Sequence, residues 1–180
     1  MKEYKIVFSG TAGAGKTTAI GAISESPVVS TDVANTDGSL NKATTTVGLD
    51  FGLITLDDGS RVRLFGTPGQ ARFDFMWRIL ATDALGLVLL IDNSRPDPLA
   101  DLDVYANGFA DELGRMPCVV GVGRHETHPE PGIDAFAERL GARGIVVPVL
   151  PVDVRQRDDV LMLVDTLLAQ AESQHQDNAA

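Results

Sequence analysis

Gly10-Thr11-Ala12-Gly13-Ala14-Gly15-Lys16-Thr17 follows the apolar run Ile6-Val7-Phe8 and leads into a compact, helix-compatible stretch that ends near Ile23. The spacing is G-x-x-x-x-G-K-[ST] in a strand, loop, helix order, which is the context a phosphate-cradling loop requires. Glycines let backbone N–H groups turn inward around phosphate oxygens, and the following helix adds its positive N-terminal dipole. The lysine supplies a cation for the β- and γ-phosphates, and the threonine hydroxyl suits Mg²⁺, a hard ion that prefers oxygen. The phosphate set is therefore Gly10, Ala12, Gly13, Ala14, Gly15, Lys16, Thr17 and Thr18, with Thr17 also a metal ligand.

Outward from this loop, residues 24–45 are rich in Ser, Thr, Asp and Asn without an apolar period, and read as one long loop. Loops of that length in compact domains are usually functional or disordered. Val47, Leu49, Phe51 and Leu53 then alternate, Asp57-Asp58-Gly59 makes a turn, and Val62 and Leu64 resume the alternation, which predicts a β-hairpin. The continuous apolar runs 85–91, 118–122 and 145–149 have the character of strands buried on both faces of a parallel sheet. Helical spacing separates or follows them at 99–113, 133–140 and 160–171. The alternation predicts an α/β fold of the P-loop NTPase kind, a doubly wound, mostly parallel sheet of about six strands, one of them an antiparallel hairpin strand, flanked by helices. One domain spans residues 1–172, with a flexible polar tail at 173–180.

The chain has 180 residues, 44% hydrophobic and 22% charged, enough to bury a core without staples. Its single cysteine, Cys118, lies in an apolar run and reads as a small buried hydrophobe. A net charge of −10 opposes nucleic acid and anionic lipid as partners, since those polyanions are held mainly by Lys and Arg. Met1-Lys2-Glu3 runs into a strand-like segment without a signal sequence or myristoylation glycine, so the expectation is a cytoplasmic protein without an intrinsic membrane anchor.

Thr46-Val47-Gly48 and then Gly66-Thr67-Pro68-Gly69-Gln70, in this order behind the phosphate loop, resemble the Ras-like small GTPases over nearly the whole chain. Within them, the run Leu64-Phe65-Gly66-Thr67-Pro68-Gly69-Gln70 is most similar to the bacterial branch containing the polarity GTPase MglA and the conservon GTP-binding proteins. The resemblance implies a nucleotide switch that takes GTP or GDP with Mg²⁺. It makes Thr46 a second Mg²⁺ ligand in a mobile switch I, Gly69 a γ-phosphate contact and Gln70 the catalytic residue that orients the attacking water. A β-branched residue opening a strand is the plainer reading of Thr46. The implied partner is a Roadblock/LC7-type regulator or other effector at the switch regions, where Phe73, Phe75, Met76 and Trp77 divide between core packing and partner anchors.

Several positions depart from the family pattern. Gly66 stands where most small GTPases carry the aspartate that holds Mg²⁺ through water, with Asp50 and Asp92 the acids that could compensate or could be ordinary polar residues near strand ends. Ala12 replaces a glycine beside the γ-phosphate, and no arginine lies in the long switch I loop, so intrinsic hydrolysis is expected to be slow. The family's Asn-Lys-x-Asp base motif aligns with Gly123, Arg124, His125 and Glu126; Glu126 keeps a carboxylate for guanine and the Arg124 stem can pack on the base. The later base loop aligns with Asp153-Val154-Arg155, which places Asp153 and Val154 at the base. With half of the guanine-selecting pattern gone, three readings stay open: a slow GTPase switch, a pseudo-GTPase that holds nucleotide without turnover, and a P-loop ATPase with relaxed base choice.

Overall fold

A computed structural model describes residues 2–34 and 46–179, with side chains described for residues 2–30 and 48–174. Thr44, Thr45 and Lys42 of the long loop lie outside the described residues, as does the side chain of Thr46. The strands are β1 (Glu3–Gly10), β2 (Val29–Ala34), β3 (Thr46–Thr55), β4 (Arg61–Gly66), β5 (Gly86–Asp92), β6 (Cys118–Gly123) and β7 (Val149–Val152). The helices are α1 (Lys16–Ile23), α2 (Asp74–Ala81), α3 (Pro98–Gly108), α4 (Ile133–Gly141) and α5 (Arg157–Ala179), and a 3-10 turn at Ala71–Phe73 leads into α2.

The strands form one sheet in the order β2-β3-β4-β1-β5-β6-β7. Its β4-β1-β5-β6-β7 portion is parallel, and β3 runs antiparallel to both β2 and β4. This is the α/β, doubly wound sheet with one antiparallel hairpin strand that the pattern predicts. Alternation along the central strands sorts side chains to two faces. Ile6, Phe8, Val88 and Leu90 pack with Ile20 of α1 and Leu163 and Leu167 of α5. Val7, Leu87, Leu89 and Ile91 pack with Trp77, Leu102, Tyr105 and Phe136 of α2, α3 and α4. With both faces covered, the central strands are apolar throughout, and all seven residues of β5 are buried.

Two strands correct the sequence reading. The seventh, β2, lies inside the segment 24–45 read as loop; its sequence, Val-Ser-Thr-Asp-Val-Ala, sits at the sheet edge, where polar residues are tolerated and mask the strand signal. β7 begins at Val149 rather than 145. Pro148 has no N–H for the ladder, and Val146, 95% exposed, has left the sheet. The backbone of α5 is helical through Ala179 and so includes most of the polar segment from Ser173. Among the described residues no helix is long and apolar enough to cross a membrane.

Candidate functional site

The phosphate loop connects the C-terminal end of β1 to the N-terminus of α1, at the carboxyl ends of the parallel strands of a doubly wound sheet, where ligand crevices form. Two of its glycines are sterically required. Gly10 has φ +149° and a Cβ there would lie 2.1 Å from the Leu90 carbonyl oxygen; Gly15 has φ +96° and its Cβ would lie 2.7 Å from Val154 Cγ2. Gly15 also caps α1, so the backbone N–H groups of the first helical turn face the loop without intrahelical partners.

Lys16 is nearly buried, and its Nζ donates to the carbonyl oxygens of Gly10 (2.7 Å) and Thr11 (2.8 Å). Burial pulls its pKa down from 10.5 to about 8, against the opposing attraction of Asp50. Thr17 Oγ1 donates to Asp50 Oδ2 at 2.5 Å, and Ser30 Oγ donates to Asp50 Oδ1 at 2.6 Å. Asp50 is itself only 8% exposed. A buried carboxylate so placed balances a buried ammonium and engages the threonine hydroxyl, a charge-compensated cluster that neither charge could form alone.

The cleft beside this cluster has a volume of about 340 Å³ and is lined by Ala12, Lys16, Thr17, Asp50, Gly69 and Gln70, among others. It thus joins the phosphate loop to the Pro-Gly-Gln segment that is distant in sequence. Gly69 lies against the loop: a Cβ on it would come within 2.4 Å of the Ala12 N. Gln70 is exposed at the mouth and caps the 3-10 turn. Thr67 is buried and shares a 2.7 Å hydrogen bond with Ser9. The carbonyl oxygens of Pro68 and Gly69 each accept a 2.8 Å hydrogen bond, from Trp77 Nε1 and Tyr105 Oη respectively. The sequence signals the aromatic cluster but not these two bonds.

Of the four residues placed at the base, two reach the phosphate loop. Arg124 adopts a left-handed conformation, φ +59°, which costs an L-residue roughly 1–2 kcal/mol. Its guanidinium pairs with Asp92 and also donates to the Gly13 carbonyl oxygen at 3.3 Å. Burial works against ionisation of Asp92, but the Ser94 hydroxyl and the Arg124 guanidinium outweigh it and hold the carboxyl below its usual range. Val154 packs beneath Gly15. Asp153 is committed to Arg155 through bonds of 2.8 and 2.7 Å that hold its pKa at about 2, and Glu126 is exposed. Asn93 Nδ2, next to Asp92, donates to the carbonyl oxygens of His128 and Pro131 and so ties down the loop that carries Arg124; sequence reasoning missed it.

The cluster Phe73, Phe75, Met76 and Trp77 divides between core and surface, with Met76 half-buried. Trp77 and Phe73 are buried, whereas Phe75 is 57% and Ile79 66% exposed on the outer face of α2.

A family described as a conserved hypothetical ATP binding protein matches residues 26–109. An uncharacterized protein of Methanocaldococcus jannaschii is 32% identical over 89 residues, covering 49% of this chain and 50% of that protein. The chain thus spans about half the length of the curated relative it matches. Among solved structures, the G domain of the T. maritima FeoB iron transporter superposes with a TM-score of 0.67 at 15% identity, covering 94% of this chain and 99% of that one. With its Gly10–Thr17 loop at the end of β1 and its seven-stranded sheet, this chain has the fold of a G domain.

Proposed function

We propose that the cleft takes the phosphates of a purine nucleotide together with Mg²⁺, and that the protein is a nucleotide-dependent switch of the MglA-like kind, with GTP and GDP as ligands. The observation that carries this reading is the Lys16, Thr17 and Asp50 cluster at the Gly10–Thr17 loop. Mg²⁺ fits the donor set, since Thr17 Oγ1 and the Asp50 carboxylate are hard oxygen donors on one side of the cleft. In this reading Asp50 takes the part of the acid absent at Gly66, and Thr46 completes the set from switch I. When bound, the ion supplies positive charge that neutralises the phosphates.

Lys16 and the N-terminus of α1 hold phosphate oxygens electrostatically. Gly69 offers an N–H to the γ-phosphate from the opposite wall, and Gln70, at the mouth, orients a water for attack. Turnover is slow because, among the described residues, no arginine lines the cleft between Asp50 and Gln70, Arg124 being held on the far side of the loop by Asp92 and the Gly13 carbonyl, and because Ala12 crowds the approach. A regulator of the Roadblock/LC7 type, docking on Phe75 and Ile79, would act in a cytoplasmic setting to complete the site or release it.

A second reading is adenine nucleotide binding. It is favoured by the description of the family that matches residues 26–109, and by a base side where Asp153 is spent on Arg155. Chromatographic identification of the nucleotide released when purified protein is denatured tests both. Guanine nucleotide supports the switch reading, adenine nucleotide supports the second, and a preparation that neither carries nor takes up either contradicts both.

A further inference from the structure

We propose that Trp77 and Tyr105 are positioning residues that aim the Gly69 N–H at the terminal phosphate, so that this aromatic pair selects triphosphate over diphosphate. The inference rests on the nucleotide reading of the cleft and adds to it two residues from α2 and α3.

The geometry begins with two consecutive peptide groups. In a trans peptide the C=O and the following N–H point in opposite directions. The Pro68–Gly69 and Gly69–Gln70 bonds are trans, since Glu130–Pro131 is the cis bond among the described residues. Trp77 Nε1 holds the Pro68 oxygen toward the core at 2.8 Å. The Gly69 N–H of that same peptide is therefore turned away from the core, and the residue itself lies close against Ala12 of the phosphate loop. Tyr105 Oη holds the next oxygen, that of Gly69, at 2.8 Å. With both carbonyls anchored, the segment before Gln70 has little freedom to rotate.

The anchors are themselves rigid. Trp77 is fully buried and stacks on Tyr105 (centroids 4.6 Å, 24° between planes) and on Phe109 (5.7 Å, 15°). It lies so flat on α3 that a Cβ on Gly108 would come within 2.8 Å of the indole. Burial, and then the Asp101 charge, push the Tyr105 hydroxyl pKa well up, so it remains a donor at any working pH. A buried indole N–H and a buried phenol each need a partner, and here both needs are met by the segment that closes the cleft.

The test is Tyr105→Phe, which removes the hydroxyl and keeps the stacked ring. Affinities are measured by titration with GDP and with a non-hydrolysable GTP analogue, or with their adenine counterparts where those bind more tightly. The expected result is a loss of about 5- to 10-fold for the triphosphate analogue, the size of one net hydrogen bond, with diphosphate affinity within about twofold of wild type. Equal losses for both ligands, or none for either, overturn the proposal. In the wild-type protein, the Gly69 amide resonance is expected to shift with the analogue and not with the diphosphate; an identical response to both also overturns it. A wild type that takes up neither nucleotide overturns the nucleotide reading itself, whereas uptake of both with an unaffected Tyr105→Phe overturns this inference alone.

Discussion

Asp50 on β3 faces Gly66 on β4 across an antiparallel pair, and its side chain fills the space that a side chain at position 66 would enter. A Cβ on Gly66 would come within 3.0 Å of both Asp50 Cβ and Oδ2. The bare glycine and the buried acid are therefore complementary: the carboxylate reaches the Thr17 hydroxyl because nothing at position 66 stands in its way.

Asp50→Asn keeps the shape and removes the charge. Triphosphate affinity in the presence of Mg²⁺ is expected to fall roughly 10- to 100-fold, the usual consequence of losing a group that orients or charges a metal site. Affinity measured in excess chelator should change much less. Titrations with and without Mg²⁺ check this, and equal losses in both would remove Asp50 from the metal site.

Gly66→Asp forces a second carboxylate against the first. Overpacking alone is expected to cost about 1–3 kcal/mol, read as a lower midpoint in urea unfolding. Adding Asp50→Ala should return most of that stability, because the two side chains compete for one space. A fully stable single variant would mean that position 66 points elsewhere.

The phosphate loop, the hairpin and the buried strands are legible in the sequence because each is a local pattern: fixed glycine spacing, period-two alternation, continuous apolar runs. The Asp50 cluster is not, since Thr17, Ser30 and Asp50 meet only through the register of β2 on β3 and the packing of α1 beneath them. β2 is hidden by its edge polarity, and the start of β7 by Pro148. Trp77 stands out in the sequence as a hydrophobe, but the bond from its indole N–H to Pro68 is a tertiary fact. Arg124 is legible by its motif position; its pairing with Asp92 depends on where β5 ends beside β6.

Lys16 makes nucleotide affinity depend on pH. In the free protein burial holds its pKa near 8, below the 10.5 of the unfolded chain, and a bound phosphate favours the charged form. Binding above pH 8 then takes up a proton, so affinity is expected to fall as pH rises through about 8, by up to roughly tenfold per unit. The contribution of Lys16 to the stability of the free protein has the opposite slope: between about 8 and 10.5 the unfolded state binds more protons, and folding gains as pH rises. Calorimetry in buffers of different ionisation enthalpy measures the proton uptake; none at pH 8.5 would contradict the assignment.

Gln70→Ala is expected to slow single-turnover hydrolysis at least about tenfold while leaving nucleotide affinity nearly unchanged, as suits a group that orients water. If the wild type shows no turnover, alone or with a Roadblock/LC7-type partner, the protein holds nucleotide without hydrolysing it.

The central claim is that the loop Gly10–Thr17 holds the phosphates of a nucleotide. Isothermal titration of nucleotide-stripped protein with Mg²⁺ and GTP, and in parallel with ATP, tests it most directly, using Lys16→Ala as the comparison. One-to-one binding of at least one nucleotide by the wild type is expected, lost or weakened by more than about 100-fold in Lys16→Ala, consistent with removal of a buried charge from an ionic contact. Binding of neither nucleotide by the folded wild type, or equal binding by Lys16→Ala, would contradict it.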